Sequence, residues 1–220
     1  MYLRVIGLSV LFLACAHAEE NEAPSSTSEV PALASVEEPI STGDVITVGQ
    51  EVPPFALPAI DGSVVNIADY ADKTVVLEWF NPGCPYVKHV HNEGEMIALA
   101  NAWMGRDVVW LAINSGRPGK QGTGQETNLE AAQNWNLSYP ILLDETGAVG
   151  QRFGAKTTPH MFVIHEGTLV YQGAYSNAPM GDVARGEELQ NYVALALTSV
   201  QNGQPVDSPE SKAWGCSVKY

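Results

Sequence analysis

Cys84 stands in Trp79-Phe80-Asn81-Pro82-Gly83-Cys84-Pro85-Tyr86-Val87-Lys88, after a Pro-Gly turn and before a proline. Proline is favoured at the first helical position, so Pro85 reads as the start of a helix and Cys84 as its cap. Free N–H groups and the positive end of the helix dipole favour an anion there. A thiolate is such an anion, and at a helix N-terminus its pKa falls, so it becomes a nucleophile at neutral pH. Lys88 adds a positive charge one turn on. The expectation is an ionised, solvent-reachable sulfur rather than an inert buried one.

A single thiolate can form a mixed disulfide or a sulfenic acid, but turnover needs a second thiol. Cys216 lies in a polar tail, 216 − 84 = 132 positions later. It is the candidate resolving cysteine; a tail-docking or free thiol is the other reading. Glu78 interrupts an apolar run six residues before Cys84. An ionised carboxylate is costly to bury. Glu78 therefore either has a raised pKa and moves a proton to or from the sulfur, or points to water. His89 and His91 are two apart, a spacing that sends helical side chains to different faces. With Cys84 they would suit copper or zinc, so a non-catalytic metal carrier is the alternative from another class.

Strand and helix signals alternate around these residues. Residues 52–57 and 63–67 read as short strands about the Asp61-Gly62 turn. Residues 74–80 and 107–114 are apolar runs that suit buried strands. Residues 85–104 read as a helix interrupted at Gly94. Thr123-Gly124-Gln125-Glu126 has the capping-box form, with a helix to about residue 136. A brief strand at 141–143, a short helix at 149–153, a hairpin over 160–172 and a closing helix at 187–200 complete the series. Such an order implies a mixed sheet covered on both faces. The Gly-rich segment 116–124 lacks the phosphate-loop pattern and reads as a long loop near the substrate entrance.

The ordered set of motifs resembles the thioredoxin-like redoxin family, the alkyl hydroperoxide reductase, thiol-specific antioxidant and peroxiredoxin-like proteins. It comprises Leu77-Glu78-Trp79 ahead of Cys84-Pro85, Trp110 to Ser115, Leu143 to Gly147, Gly154 to His160, and Gly215 to Tyr220. The resemblance implies an α/β thioredoxin-like fold, a central mixed β-sheet flanked by helices on both faces. It also implies that Cys84 is the redox-active cysteine. Thr158-Pro159 would then be a cis-proline loop facing it, with Thr158, Pro159 and Pro85 in contact with substrate. Two departures stand out. Val87 and Asn81 occupy the positions where a Cys-x-x-Cys partner would be, and Leu77 and Asn81 replace the Pro and Thr of the peroxidase motif. Asn81 could still donate a hydrogen bond to a peroxide. The implied activity is thiol-disulfide exchange or peroxide reduction, with a reducing thiol protein as partner and neither cofactor nor metal.

Residues 1–18 carry one base, Arg4, then an apolar stretch and Ala16-His17-Ala18, which fits a signal-peptide cleavage site. Phe12-Leu13-Ala14-Cys15 also resembles a bacterial lipobox, which would make Cys15 a membrane tether. Residues 19–44 read as a disordered acidic linker rich in Pro, Ser and Ala, and residues 45–220 as the redoxin domain. Both readings of residues 1–18 place the protein in the bacterial envelope, periplasmic or anchored. With 25 acidic against 11 basic side chains, the surface repels phosphates and disfavours nucleic acid as a partner.

Overall fold

The computed structural model describes residues 45–92 and 95–220. The signal segment, Cys15, the acidic linker to residue 44 and the interruption at Gly94 lie outside the described residues. Among the described residues no helix is long and apolar enough to cross a membrane.

Strand β3 (Thr74–Trp79) is the centre of the molecule. It runs parallel to β4 (Val108–Asn114), with Thr74 beside Val108, and antiparallel to β7 (His160–His165), with Thr74 beside His165. β5 (Ile141–Leu143) and β8 (Thr168–Gly173) form the edges of this five-stranded mixed sheet, ordered β5-β4-β3-β7-β8. Side chains alternate across a strand, so β3 serves two cores. Val76 and Phe80 pack on one face with α1 (Pro85–Asn92), α2 (Met96–Met104) and α5 (Tyr192–Gln201). Val75, Leu77 and Trp79 pack on the other with α4 (Ala148–Arg152) and the hairpin of β1 (Ala56–Pro58) and β2 (Val64–Asn66). The fold is thus α/β, a mixed sheet covered on both faces as the alternation of signals implied, and thioredoxin-like as the resemblance implied. On the second face Trp79 stacks among Phe153 and Phe162, and its indole N–H donates to Ser115 Oγ at 3.0 Å.

Three local expectations need correction. The capping box at Thr123 does not form. The Thr123 hydroxyl donates to the Lys120 carbonyl at 2.7 Å, and Gly124 becomes the N-cap of α3 (Gln125–Asn134). The closing helix starts at Tyr192 rather than Glu187, because the Asn191 side chain caps it by accepting from Ala194 N–H. Residues 187–190 are instead held by Asn177, which donates to the Glu188 carbonyl and accepts from Gln190 N–H. Finally, residues 209–220 are docked along their length, although their composition reads as a loose tail.

Docking of this segment is built from successive hydrogen bonds. Gln172 N–H donates to the Pro209 carbonyl, and Ser211 Oγ accepts from Ala174 N–H at 2.8 Å and sits 2.6 Å from the Tyr171 hydroxyl. Trp214 Nε1 donates to the Ser176 carbonyl at 2.7 Å. β9 (Cys216–Ser217) then pairs antiparallel with β6 (Thr157–Thr158). Arg117 N–H donates to the Lys219 carbonyl, and the Tyr220 hydroxyl to the Ala155 carbonyl. Ser211→Ala removes the acceptor of Ala174 N–H and should lower stability by about 1–2 kcal/mol, the cost of stranding a buried donor. Urea denaturation measures it, and limited proteolysis should cut residues 209–220 faster in the variant.

Candidate active site

The end of β3 delivers the chain into the loop 80–84, where α1 begins. Lys88 N–H donates to the Cys84 carbonyl at 3.0 Å, the first helical bond of α1, so Cys84 is its N-cap. Asn81 braces the loop. Its Oδ1 accepts from Gly83 N–H at 2.8 Å, and its Nδ2 donates to the Gln121 carbonyl at 2.9 Å. Gln121 returns a bond from Nε2 to the Gly83 carbonyl at 2.7 Å. A Cβ at Gly122 would lie 1.9 Å from Asn81 Oδ1, so only glycine fits there. The Gly-rich loop therefore grips the cysteine loop, and a cavity of about 440 Å³ opens beside them between Gly83, Lys88 and Trp135.

The Thr158-Pro159 peptide bond is cis. The Thr158 carbonyl accepts from the Cys84 thiol at 3.0 Å. Thr158 is also the β6 residue paired with Cys216. The two cysteines are free thiols in this structure, and the Cys216 thiol lies within hydrogen-bonding reach of the Cys84 sulfur. Burial alone would push the Cys84 thiol up. The Cys216 thiol, the Thr158 hydroxyl and the Val87 N–H of the first turn outweigh it and hold Cys84 below the ordinary thiol range. The Thr158 hydroxyl is buried without another hydrogen-bond partner, so it is available as a donor to the ionised sulfur. Hydrogen bonds to an ionised group contribute roughly 1.5–3 kcal/mol each, which is why several donors can offset the burial of one sulfur. Cys216 moves the other way, pushed up to about 11 by burial and by its neighbour Cys84.

Cys84 itself is 0% exposed. The expectation of a solvent-reachable sulfur is corrected here, because the docked segment carrying β9 lies against it. A Cβ at Gly215 would meet the Thr158 carbonyl oxygen at 2.2 Å. That contact shows how closely the two backbones approach. Trp214 leans on Tyr86, with ring centroids 5.9 Å apart. Pro85 is exposed on the first turn, whereas Thr158 and Pro159 are buried.

Glu78 does not point to water. It is completely buried, with Oε1 3.4 Å from His91 Nε2, and Oε2 accepts from the Tyr139 hydroxyl at 3.3 Å. His91 Nδ1 lies 2.8 Å from the Val87 carbonyl, which can only accept, so Nδ1 carries a proton. Burial pushes the Glu78 carboxyl up, while His91, Trp110 and Tyr139 pull it back. The influences on Cys84 come from Cys216, Thr158 and Val87, and Glu78 is not among them. His160 packs on Phe162 at 4.4 Å, on the sheet face opposite Glu78. The copper-carrier alternative finds no support, since among the described residues no cluster of three or more His, Cys, Asp or Glu could hold a metal.

Residues 47–187 match the Redoxin family, more than half of the chain. The chain belongs to the Redoxin family. β9 and Cys216 lie beyond the matched region. The thiol-disulfide oxidoreductase ResA of Geobacillus thermodenitrificans (strain NG80-2) is 26% identical over 121 residues, 54% of this chain and 64% of that protein. The chain thus matches under two thirds of that relative's length. Among solved structures, an uncharacterized conserved protein from Geobacillus kaustophilus has a TM-score of 0.72 and 29% identity, covering 80% of this chain and 93% of that one. A hypothetical protein from Sinorhizobium meliloti 1021 has a TM-score of 0.69 and 24% identity over 80% of this chain and 96% of that one. The second shares the fold.

Two outcomes follow from these positions. Alkylation of Cys84 by iodoacetamide should be slow in the intact chain and faster in Trp214→Ala, which loses the bond to Ser176; equal rates would contradict the covering role of this segment. For Glu78 the folded pKa lies above the ordinary 4.5. The folded state then keeps a proton that the unfolded chain releases, so this contribution to stability is complete below the unfolded pKa and is lost as pH rises through the folded pKa. Glu78→Gln does not titrate. Its urea midpoint relative to the natural chain should therefore rise as pH is taken from 4.5 to neutrality, and a constant difference would contradict the raised pKa.

Proposed function

We propose that this protein is an exported thiol-disulfide oxidoreductase that works through a reversible disulfide between Cys84 and Cys216. The observation that carries the reading is the meeting of two free thiols: one at the cap of α1, the other on β9 opposite Thr158. The similarity to ResA, named a thiol-disulfide oxidoreductase, supports the same class of chemistry.

In this reading the segment carrying β9 lifts and the Cys84 thiolate attacks one sulfur of a substrate disulfide. A bond forms between Cys84 and that sulfur, and the other substrate sulfur leaves as a thiolate. Cys216, deprotonated as it attacks, displaces the second substrate thiolate from Cys84 and closes the internal disulfide. The substrate gains two electrons and the cysteine pair loses two. An external reducing thiol then restores the pair. The loop Thr158-Pro159 aligns the sulfurs, and Pro85 presents the exposed edge of the helix cap to substrate. Disulfide substrates are favoured over peroxide because the Asn81 side chain is engaged at both polar ends in bracing the loop. Residues 1–18 direct export, with either cleavage after Ala18 or lipid attachment at Cys15, and residues 19–44 act as the spacer to the domain.

Mass spectrometry of the chain after treatment with oxidised glutathione tests this reading. The natural chain should lose the mass of two hydrogens, and Cys84→Ser and Cys216→Ser should each abolish that loss. Turnover on a protein disulfide should fall about tenfold or more in Cys216→Ser, because a mixed disulfide on Cys84 then lacks its internal resolver. Unchanged turnover in that variant would overturn the two-cysteine scheme.

A further inference from the structure

We propose that the reducing partner enters the internal disulfide at Cys216, on the docked segment, and leaves Cys84 as the departing sulfur. The proposal rests on the two-cysteine reading above and adds the direction in which that pair is reopened.

Access is the first argument. Cys84 is 0% exposed and packs in the core with Phe80, Val87 and Val90, whereas Cys216 is partly exposed on a strand at the surface. Thiol-disulfide exchange runs through a nearly linear arrangement of three sulfurs, so the attacking thiolate approaches opposite the bond that breaks. Cys84 offers no exposed surface for that approach. Cys216 keeps part of its surface exposed for it.

The leaving group gives the second argument. Exchange is faster when the displaced thiol has the lower pKa. With Cys216 held in a disulfide, the Thr158 hydroxyl and the Val87 N–H remain as donors, so displacing Cys84 yields an anion that is still hydrogen-bonded. Cys216 has no comparable set of donors, and its thiolate is the poorer leaving group. Charge supplies the third. Lys219 is close enough to Cys216 to favour its ionised form. The same ammonium draws an incoming thiolate towards this sulfur in a chain whose net charge is −14.

The step balances as follows. A partner thiolate attacks the Cys216 sulfur; a bond forms between the partner and Cys216, the Cys84–Cys216 bond breaks, and its electron pair stays on Cys84. A second partner thiolate attacks the partner sulfur of this mixed disulfide, giving the partner's disulfide and a Cys216 thiolate. That thiolate takes a proton from water. Two partner thiols are oxidised, and the cysteine pair is reduced by two electrons.

Location of the first mixed disulfide tests the proposal. The oxidised full chain is mixed with reduced glutathione, quenched in acid at the earliest time points, alkylated and digested. Glutathione should appear on the peptide carrying Cys216 in about tenfold excess over the peptide carrying Cys84. An adduct mainly on Cys84 would overturn this proposal alone and leave the two-cysteine reading in place. Starting protein that carries no internal disulfide would overturn that reading, and this proposal with it.

Discussion

The antiparallel pairing of Thr158 with Cys216 brings the second thiol of the domain to the first. Cys84 is fixed from one side by the end of β3 and the start of α1, through bonds local to the loop 80–88. The Cys216 thiol contributed by β9, with Thr158 and Val87, makes its environment that of a stabilised thiolate. The same contact removes the sulfur from solvent. Activation and concealment thus have one origin, and the segment over 209–220 governs both. The many hydrogen bonds that dock this segment are individually small, about 1 kcal/mol each. A strand held by such bonds can remain ordered and still lift.

Around this contact the sheet separates two polar networks. On the face of α1, Glu78, His91 and Tyr139 form a buried group in which burial pushes the Glu78 carboxyl up and its two neighbours pull it back. On the opposite face, Asp144 accepts from Ser115 Oγ at 2.6 Å and from Gly150 N–H at 2.8 Å, tying β4 to α4. Burial pushes Asp144 up and these donors pull it back. Trp79 donates to Ser115 and joins β3 to this network. The strand that carries Glu78 towards one core therefore anchors itself through Trp79 in the other. Trp79 thus anchors the strand at the point where it enters the loop 80–84.

Much of this was legible in the residues. The family resemblance implied that the Thr158-Pro159 loop faces Cys84, whereas uninterrupted apolar runs located β3 and β4 and the Cys-Pro step located the cap of α1. These last are local signals, each read from a few adjacent residues. The burial of Glu78 on the side of α1 was readable only as one of two orientations, because it needs the His91 and Tyr139 positions brought in by other elements. β6 and β9 were missed altogether. Each is two residues long, without alternation of its own, and each exists only through the other. The docking of the tail that covers Cys84 was readable only as one of the alternatives for Cys216. The composition of residues 209–220 suggests a loose chain, and only Gly215, which permits the approach to Thr158, hints at docking. Asn191 was overlooked as a cap because the polar residues before it also fit a helix.

Ultraviolet absorbance of the thiolates across pH tests the central contact most directly, in the natural chain and in Cys216→Ala. Apart from Cys15, the natural chain should show two separate ionisations, one below the ordinary thiol value for Cys84 and one near 11 for Cys216. Cys216→Ala should lose the upper step and move the lower one upward, because the sulfur of Cys84 has lost a donor. Two overlapping steps at the ordinary value, or a lower step that stays in place in the variant, would contradict the account.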